Sequence, residues 1–539
     1  MRVEFLNSIP RLTSVATQLC ADSRHPEPGL RHLNDFDFWG RDSSNWKGDA
    51  MPLVHAGRLL RKVFGLAFLI CATTVISASA QTFTTLITFN VANGWDPAAQ
   101  SLVQGLDGSL YGTTFEGGLY GGGTIFKLSK NGQLVTVHNF CALSGCADGQ
   151  EPAAGLIQAT DGSFYGTTEF GGQGFYPEGT LFSMSPTGEF ATLYSFCQQY
   201  NGWYGCLDGS NPQGQLAQGV NGDIYGTTPG GGNNFGGVAF VAAPHGPLTI
   251  LYSFCSQLDC ADGQGPYAGL TVGLDGDLYG TTIGGGSAFS GTVFRLSSDG
   301  AESVVYNSCS QRGSSFHRCF NSAGVGILTQ GPDGSFYGTG GAGLYGDGST
   351  SRLTANGDLI TLHNFHGTDG SFADSILQAS DGNLYGTTRS GGKNGLGTIF
   401  QITAQGVFKT IHDFDAPVNC VDNCYGDSIL MQATDGNLYG TYTAVAQYSY
   451  AAIFRLELGL RPFVQARPGL AKHSSQVDLL GQGLEGATSV SFNGIPASFN
   501  VISDTFILAI VPADANSGYI TVTTASGTLK SNVPFHVLQ

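Results

Sequence analysis

The stretch Asp161-Gly162-Ser163-Phe164-Tyr165-Gly166-Thr167-Thr168 occurs in variant form seven times in its chain. The phrase Asp/Asn-Gly-x-(Leu/Phe/Ile)-Tyr-Gly-Thr begins at Asp107, Asp161, Asn221, Asp275, Asp333, Asp381 and Asp435. The intervals are 54, 60, 54, 58, 48 and 54 residues, so the copies average about 54 residues. A period of this length marks a repeat architecture, in which each unit buries its faces against its neighbours.

Each unit holds four short apolar runs. In the second copy they are residues 155–159, 163–168, 180–184 and 190–196. All are rich in aromatic and β-branched types and read as strands. Asp-Gly between the first two predicts a type I′ hairpin. A second tight turn, such as Asn131-Gly132 or Asp299-Gly300, separates the third run from the fourth. Four strands per unit fit a propeller blade. The fourth-strand pattern ends at Phe140, Phe196, Phe254, Ser308, Phe365 and Phe414. A further copy, Leu86-Ile87-Thr88-Phe89, precedes the first unit, and the last unit stops after its third strand at 452–456. The N-terminal strand is therefore expected to complete the last blade, which removes an exposed sheet edge. Residues 81–458 are predicted to form one all-β, seven-bladed β-propeller with four-stranded blades.

Successive turns of a meander lie at alternate ends. The tight turns share one face, and the long connections share the other. After strand two come Gly-rich loops at 115–123, 169–179, 229–237, 283–291, 340–348 and 389–397. After strand four come five local cysteine pairs, Cys141/Cys146, Cys197/Cys206, Cys255/Cys260, Cys309/Cys319 and Cys420/Cys424. Local pairing within each connection is expected, and such short loops gain shape rather than much loop entropy. Zinc fits less well, because the pairs come one per blade with no CxxC…CxxC pattern. Aromatics stud both loop sets. The candidate platform comprises Trp95, Phe115, Tyr120, Phe175, Tyr176, Tyr200, Trp203, Tyr204, Phe235, Phe289 and Tyr345. Rigid rings beside Asp and Asn acceptors suit a sugar or a partner-protein surface. The alternative is that these rings pack the loops onto the blades. Asp148, Asp208, Asp262 and Asp369 follow in similar positions after strand four; oxygen ligands of this kind also suit calcium, although as turn-formers they need no metal.

No G-x-S-x-G, H-E-x-x-H or Walker A motif occurs in the context its chemistry needs. His138, His363 and His412 hold the strand-four position that Tyr194, Tyr252 and Tyr306 hold elsewhere, so this slot reads as structural. No catalytic residue is assigned.

The chain of 539 residues contains 81 glycines, about twice the usual share. Its net charge is −17, which disfavours nucleic acid and anionic membranes as partners. Residues 51–80 read as a secretory signal: Arg58, Arg61 and Lys62, then an apolar run over 63–76, then Ala78-Ser79-Ala80. That run is shorter than the ~20 residues a spanning helix needs. Met51 reads as the initiator, with residues 1–50 a doubtful extension. Removal of 1–80 leaves 14 basic and 33 acidic residues, a net of −19, and ten cysteines. An even cysteine count in an exported chain points to disulfides.

Beyond about residue 459 the repeat stops. Residues 477–480, 489–492, 497–501, 506–511 and 519–524 read as strands of a small immunoglobulin-like β-sandwich. The segment Gly486-Ala487-Thr488-Ser489-Val490-Ser491-Phe492-Asn493-Gly494, with Val511-Pro512 and Gly518-Tyr519-Ile520-Thr521-Val522, resembles an IPT/TIG domain. The repeat itself, through residues 161–168, Gly171-Gly172, Gly179-Thr180-Leu181-Phe182 and Tyr194-Ser195-Phe196, resembles the GloVer (Gloeo_Verruco, choice-of-anchor) tandem repeat of bacterial extracellular proteins. That resemblance implies an extracellular or envelope location and no catalytic residues. The sequence reading is thus a secreted or cell-surface monomer that binds a glycan or partner protein on its long-loop face without a cofactor. Its rivals are an enzyme acting on polysaccharide or a lactone-like metabolite at the axial mouth, and a structural envelope component.

Overall fold

The computed structural model describes residues 81–97, 102–202, 205–309, 326–341, 343–415, 426–427, 429–444 and 450–538. The signal-like segment, residues 1–50, Trp203, Tyr204, Cys319, Cys420 and Cys424 lie outside the described residues. Among the described residues, no helix is long and apolar enough to cross a membrane.

The repeat region forms seven four-stranded antiparallel sheets, two of which carry one short extra strand. In the second unit the strands are Ile157–Gln158, Phe164–Thr168, Thr180–Met184 and Phe190–Ser195, paired in that order. The two central strands are buried at every position, whereas the fourth is largely half-exposed. Burial on both faces requires a neighbour on each side, and the apolar clusters supply it. One cluster joins Tyr165, Leu181 and Phe196 of the second sheet to Leu216, Ile224 and Phe240 of the third. Another joins Leu102, Leu110 and Phe126 of the first sheet to Ala433, Tyr439 and Ile453 of the seventh.

The repeated phrase builds each sheet's inner hairpin. Asp161 Oδ1 accepts the Ser163 N–H at 2.8 Å, and its Oδ2 accepts the Tyr165 hydroxyl at 2.7 Å. The Gly162 N–H donates to Ala159 O, and Gly162 has φ +84° while Asp161 does not enter that region. This is a type I turn followed by a glycine bulge, not the expected type I′ turn, which needs positive φ at both central residues. Gly166 has a different purpose. A Cβ there would stand 2.5 Å from Phe182 Cζ, so the glycine lets the strand-three ring lie flat on strand two.

A glutamine ends the first strand of six sheets, at Gln104, Gln158, Gln218, Gln330, Gln378 and Gln432, and Val272 takes the place in the fourth. Five of them accept an N–H from the preceding sheet at 2.8–3.0 Å: Leu106 to Gln158, Thr160 to Gln218, Leu274 to Gln330, Ser380 to Gln432, and Thr434 to Gln104. The two interruptions have sequence causes. Val272 offers no acceptor, and Pro332 has no N–H for Gln378, whose Oε1 is buried without a partner.

The seventh sheet draws on both ends of the array. Thr82–Thr88 pairs antiparallel with Tyr450–Glu457, from Thr82 opposite Glu457 to Thr88 opposite Ala452. Phe83 stacks on His412 at 4.1 Å, as Phe408 stacks on His363 and Phe190 on His138, both at 3.8 Å. The N-terminal strand thus occupies the fourth-strand position of the last sheet.

Further sheets follow at the C-terminus. Gln476–Leu480, Phe499–Ser503 and Phe506–Ile510 belong to one, and Ser489–Phe492 and Ile520–Thr524 to another. Val477, Leu479, Ile507, Val490, Phe492 and Ile520 share one buried core across the two sheets. Gln465–Arg467, Leu470–Lys472, Gly527–Lys530 and His536–Leu538 are strands additional to the five read from sequence.

Candidate binding surface on the long-loop end

The loops after strand two share a backbone course. Leu119 N–H donates to Asn139 Oδ1, Ser287 N–H to Asn307 Oδ1, Leu344 N–H to Asn364 Oδ1 and Lys393 N–H to Asp413 Oδ1, all at 2.7–2.8 Å. The end of strand four therefore pins each of these four loops at one point. In five of these loops the fourth residue of this course has positive φ: Gly121 +82°, Phe235 +58°, Phe289 +54°, Gly346 +87° and Gly395 +76°. Glycine adopts that conformation without penalty, but a bulky L-residue pays ~1–2 kcal/mol. Phe235 and Phe289 pay it while 50% and 67% exposed. Phe372, at φ +55° and 46% exposed, repeats the pattern at a position where other units carry Asp96, Glu151, Asn211 or Gly265. The positive φ thus belongs to the backbone course of the repeat, and in these three units it is an aromatic residue that adopts it.

The cysteine connections are fixed just as firmly. Disulfides join Cys141 to Cys146, Cys197 to Cys206 and Cys255 to Cys260. Cys309 is also disulfide-bonded. Behind each of the three loops closed by these described pairs stands a buried aspartate. Asp208 accepts the N–H groups of Gln198 and Gln199 and the Tyr194 hydroxyl. Asp262 does the same for Ser256, Gln257 and Tyr252, and Asp148 takes the N–H groups of Ala142 and Leu143. Asp369 accepts His366 N–H and contacts His363 Nε2 at 2.8 Å. These are the carboxylates weighed as calcium ligands, and their oxygens are engaged with loop donors. Among the described residues, no three His, Cys, Asp or Glu side chains come together as a metal set. The Tyr/His slot of strand four is the contact to this aspartate. Where it is histidine, burial depresses the ring's pKa, as at His138 and His363.

Most of the aromatics named from sequence do reach the surface. Phe175 is 88% exposed, and Tyr120, Tyr176, Tyr200 and Tyr345 are also exposed. Phe175, Tyr176 and Tyr200 form a contiguous group across two loops, with centroids 5.0 and 4.4 Å apart. Trp95 and Phe115 differ. They belong to the strands Trp95–Pro97 and Leu110–Glu116, and both are half-buried. The strands simply run further than the loop reading allowed.

A cavity of about 690 Å³ opens at the same end, lined by the start of strand one, the end of strand two and the segments next to them in four consecutive sheets. Tyr267, Ile283, Ile327 and Phe372 give it an apolar wall, and Asp374 and Arg389 face each other in it at 3.5 Å. None of these residues was in the aromatic platform read from sequence: Tyr267, Ile283 and Ile327 lie in the connections themselves, whereas Phe372, Asp374 and Arg389 lie within the strands Ser371–Gln378 and Leu384–Ser390. The unit-by-unit alignment of Phe372 with Asp96, Glu151, Asn211 and Gly265 was the available signal. Glu302 was missed as well. It starts strand four of the fourth sheet, where other sheets place Phe190 or Phe408, and burial beside Asp262 pushes its carboxyl up to about 7.

Residues 72–206, 200–324 and 313–466 match the Gloeobacter/Verrucomicrobia repeat, so the chain belongs to that family. No curated protein matches the chain. Among solved structures, a fungal alcohol oxidase of the AA5 family in complex with copper is similar at 13% identity and TM-score 0.44, over 84% of this chain and 99% of its own. A putative gluconolactonase is similar at 13% identity and TM-score 0.34, over 71% and 94%. A Trypanosoma rangeli sialidase follows at 12% identity and TM-score 0.35, over 71% and 60%. Likenesses this distant assign neither chemistry nor substrate.

Proposed function

We propose that the seven sheets close into a seven-bladed β-propeller, and that the protein is an exported, non-catalytic binding protein that holds a glycan on the long-loop face. Three observations support closure: the Thr82–Thr88 strand in the seventh sheet, the Thr434-to-Gln104 hydrogen bond, and the shared core of the first and seventh sheets. The C-terminal sheets are read as an immunoglobulin-like module of IPT/TIG type that extends from the tight-turn face. The signal-like segment over 51–80 supports export.

The observation that carries the binding reading is the pair Phe235 and Phe289, each exposed and each on a backbone course that glycine holds in other units. Aromatic faces on rigid loops suit the C–H faces of sugar rings. The hydrolytic alternative lacks support, since the described lining of the loop-end cavity holds one carboxylate, Asp374, and that faces Arg389. Glycoside hydrolysis generally uses two.

A glycan array with the secreted protein tests the reading. The wild type should bind a restricted glycan set. Phe289→Gly should lose at least tenfold in affinity while its melting temperature holds or rises. An empty array, together with a protein recovered from the same cell surface by the wild type but not by Phe289→Gly, would replace the glycan by a protein partner. N-terminal sequencing of the secreted chain should begin at Gln81.

A further inference from the structure

At the tight-turn end, the C-terminal module meets the glutamines of the repeat. Arg467 Nη2 donates to the Gln104 main-chain carbonyl at 2.8 Å, and the Thr505 hydroxyl donates to the carbonyl of Leu106. Between module and repeat lies a cavity of about 460 Å³. That volume falls in the ~300–1,000 Å³ range of small-molecule sites. Leu102, Ile157, Leu274 and Leu470 supply apolar surface from both sides.

Its polar lining is unusual in charge and in satisfaction. Among the described lining residues Arg467 is the one permanent cation, and none is an acid. The guanidinium spends donors on neutral acceptors only: Gln104 O, Gln465 Oε1 at 3.3 Å and Gln158 Oε1 at 3.5 Å. Burial lowers its pKa to about 10. Asp478 stands opposite across the strand pair without forming an ion pair, and its own carboxyl is pushed up to about 6 by burial. Two further groups lack partners. His536 Nε2 is buried with no hydrogen bond, and the Gln215 amide, half-buried on the cavity wall, makes none within the protein. Buried polar groups are ordinarily paired, so exceptions need an explanation such as an absent ligand or water.

We propose that this cavity binds a small hydroxylated carboxylate, a sugar acid, with its carboxylate on Arg467 and its hydroxyls on the Gln215 amide. A bidentate guanidinium–carboxylate pair would give Arg467 the counter-charge that its neutral partners do not. The apolar patches meet the carbon face of the ring. The titratable groups facing the ligand are Arg467, His536 and, across the strand pair, Asp478. Asp478 loses its charge as pH falls through about 6. Below that pH the site is more cationic, and the carboxylate is held more tightly.

Isothermal titration of the full chain with D-glucuronate, against D-glucose as the neutral analogue, tests this. Glucuronate should give saturable heat, at least threefold tighter at pH 5.5 than at pH 7.5, and glucose should give none at the same concentrations. Gln215→Leu, which breaks no protein hydrogen bond, should weaken glucuronate at least fivefold with an unchanged unliganded melting temperature. Arg467→Met should abolish binding but also loosens the module, so Gln215→Leu is the decisive variant. Absence of saturable heat at both pH values overturns the proposal. So does equal binding of glucose, or wild-type affinity in Gln215→Leu. The site is independent of the loop face: Phe289→Gly should leave glucuronate binding unchanged, and its loss there would place the sugar acid at the other end and overturn the proposal.

Discussion

Replacing Gln104 by Leu removes the hydrogen bond that links the last sheet to the first. Gln104 is 2% exposed, and its Oε1 accepts the N–H of Thr434, a fully buried residue, at 2.9 Å. Its Nε2 also reaches Gly108 O, at 3.4 Å. Leucine fills similar volume but leaves the Thr434 N–H and one side of the Gly108 carbonyl without a partner. A buried orphaned group costs ~1–3 kcal/mol, so Gln104→Leu should destabilise by about 2–4 kcal/mol, the Gly108 bond being long and weak. Gln378→Leu is the matched control. Its Oε1 already lacks a partner because Pro332 has no N–H, and only its bond to Gly382 O at 3.2 Å is lost. Removing a buried, unsatisfied acceptor offsets that loss, so the net change should stay within ~1 kcal/mol. Guanidinium chloride unfolding of both variants, followed by tryptophan fluorescence and far-UV circular dichroism, reads the difference. Coincident transitions are needed before free energies are compared. Equal destabilisation by the two substitutions would refute the reasoning, because it would make the glutamine position generic packing rather than a donor–acceptor link. Val272→Gln extends the test: a new acceptor for the Val220 N–H should add ~0.5–1.5 kcal/mol.

Gly166→Ala puts a Cβ 2.5 Å from Phe182 Cζ and should cost ~1–3 kcal/mol, whereas Gly338→Ala meets only Leu328 Cδ2 at 3.3 Å, because Ser351 replaces the ring, and should be nearly neutral in the same melts. The pKa of His138 is depressed in the fold, chiefly by burial, so its contribution is present above the ordinary value of 6.5 and lost as pH falls below it. His138→Tyr should therefore flatten the fall in melting temperature between pH 7 and pH 5, and an unchanged slope would count against the neutral buried ring. Glu302 has the opposite sign. Its carboxyl is raised from 4.5 to about 7, so stability is lost as pH rises through that window. Glu302→Gln should raise the melting temperature at pH 8 and change it little at pH 4, which thermal melts at the two pH values will read.

The seven-unit pattern was legible because each phrase residue has a separate physical duty. The Asp caps a turn and holds a tyrosine, and the glycine two residues beyond Phe164 makes room for Phe182. The turn type was not legible, since type I′ and type I with a glycine bulge share the dipeptide and differ in the φ of Asp161. The glutamines were overlooked because most first strands pair over only two or three residues, too short for a periodic signal. On the loop face, glycine-flanked rings such as Phe175 and Tyr345 are exposed, while Phe115 lies within a strand that runs past the loop boundary read from sequence, because no residue marks where that strand ends. Phe372, Asp374 and Arg389 meet across connections of adjacent strands in the sixth sheet, and only the register of that pairing brings them together.

The shared seventh sheet also determines how the molecule bears tension. Thr82 lies opposite Glu457, so the entry and exit of the array are side by side at one edge of one strand pair. A pull applied through the two flanking segments loads those hydrogen bonds one after another, like a zipper, rather than all at once in shear. Force applied in this geometry reaches that strand pair before the other six sheets. A chain tethered at one flank and gripped at the other would peel open there first, baring the fourth-strand edge of Tyr450–Glu457 and the core that Phe83 covers beside Phe454 and His412.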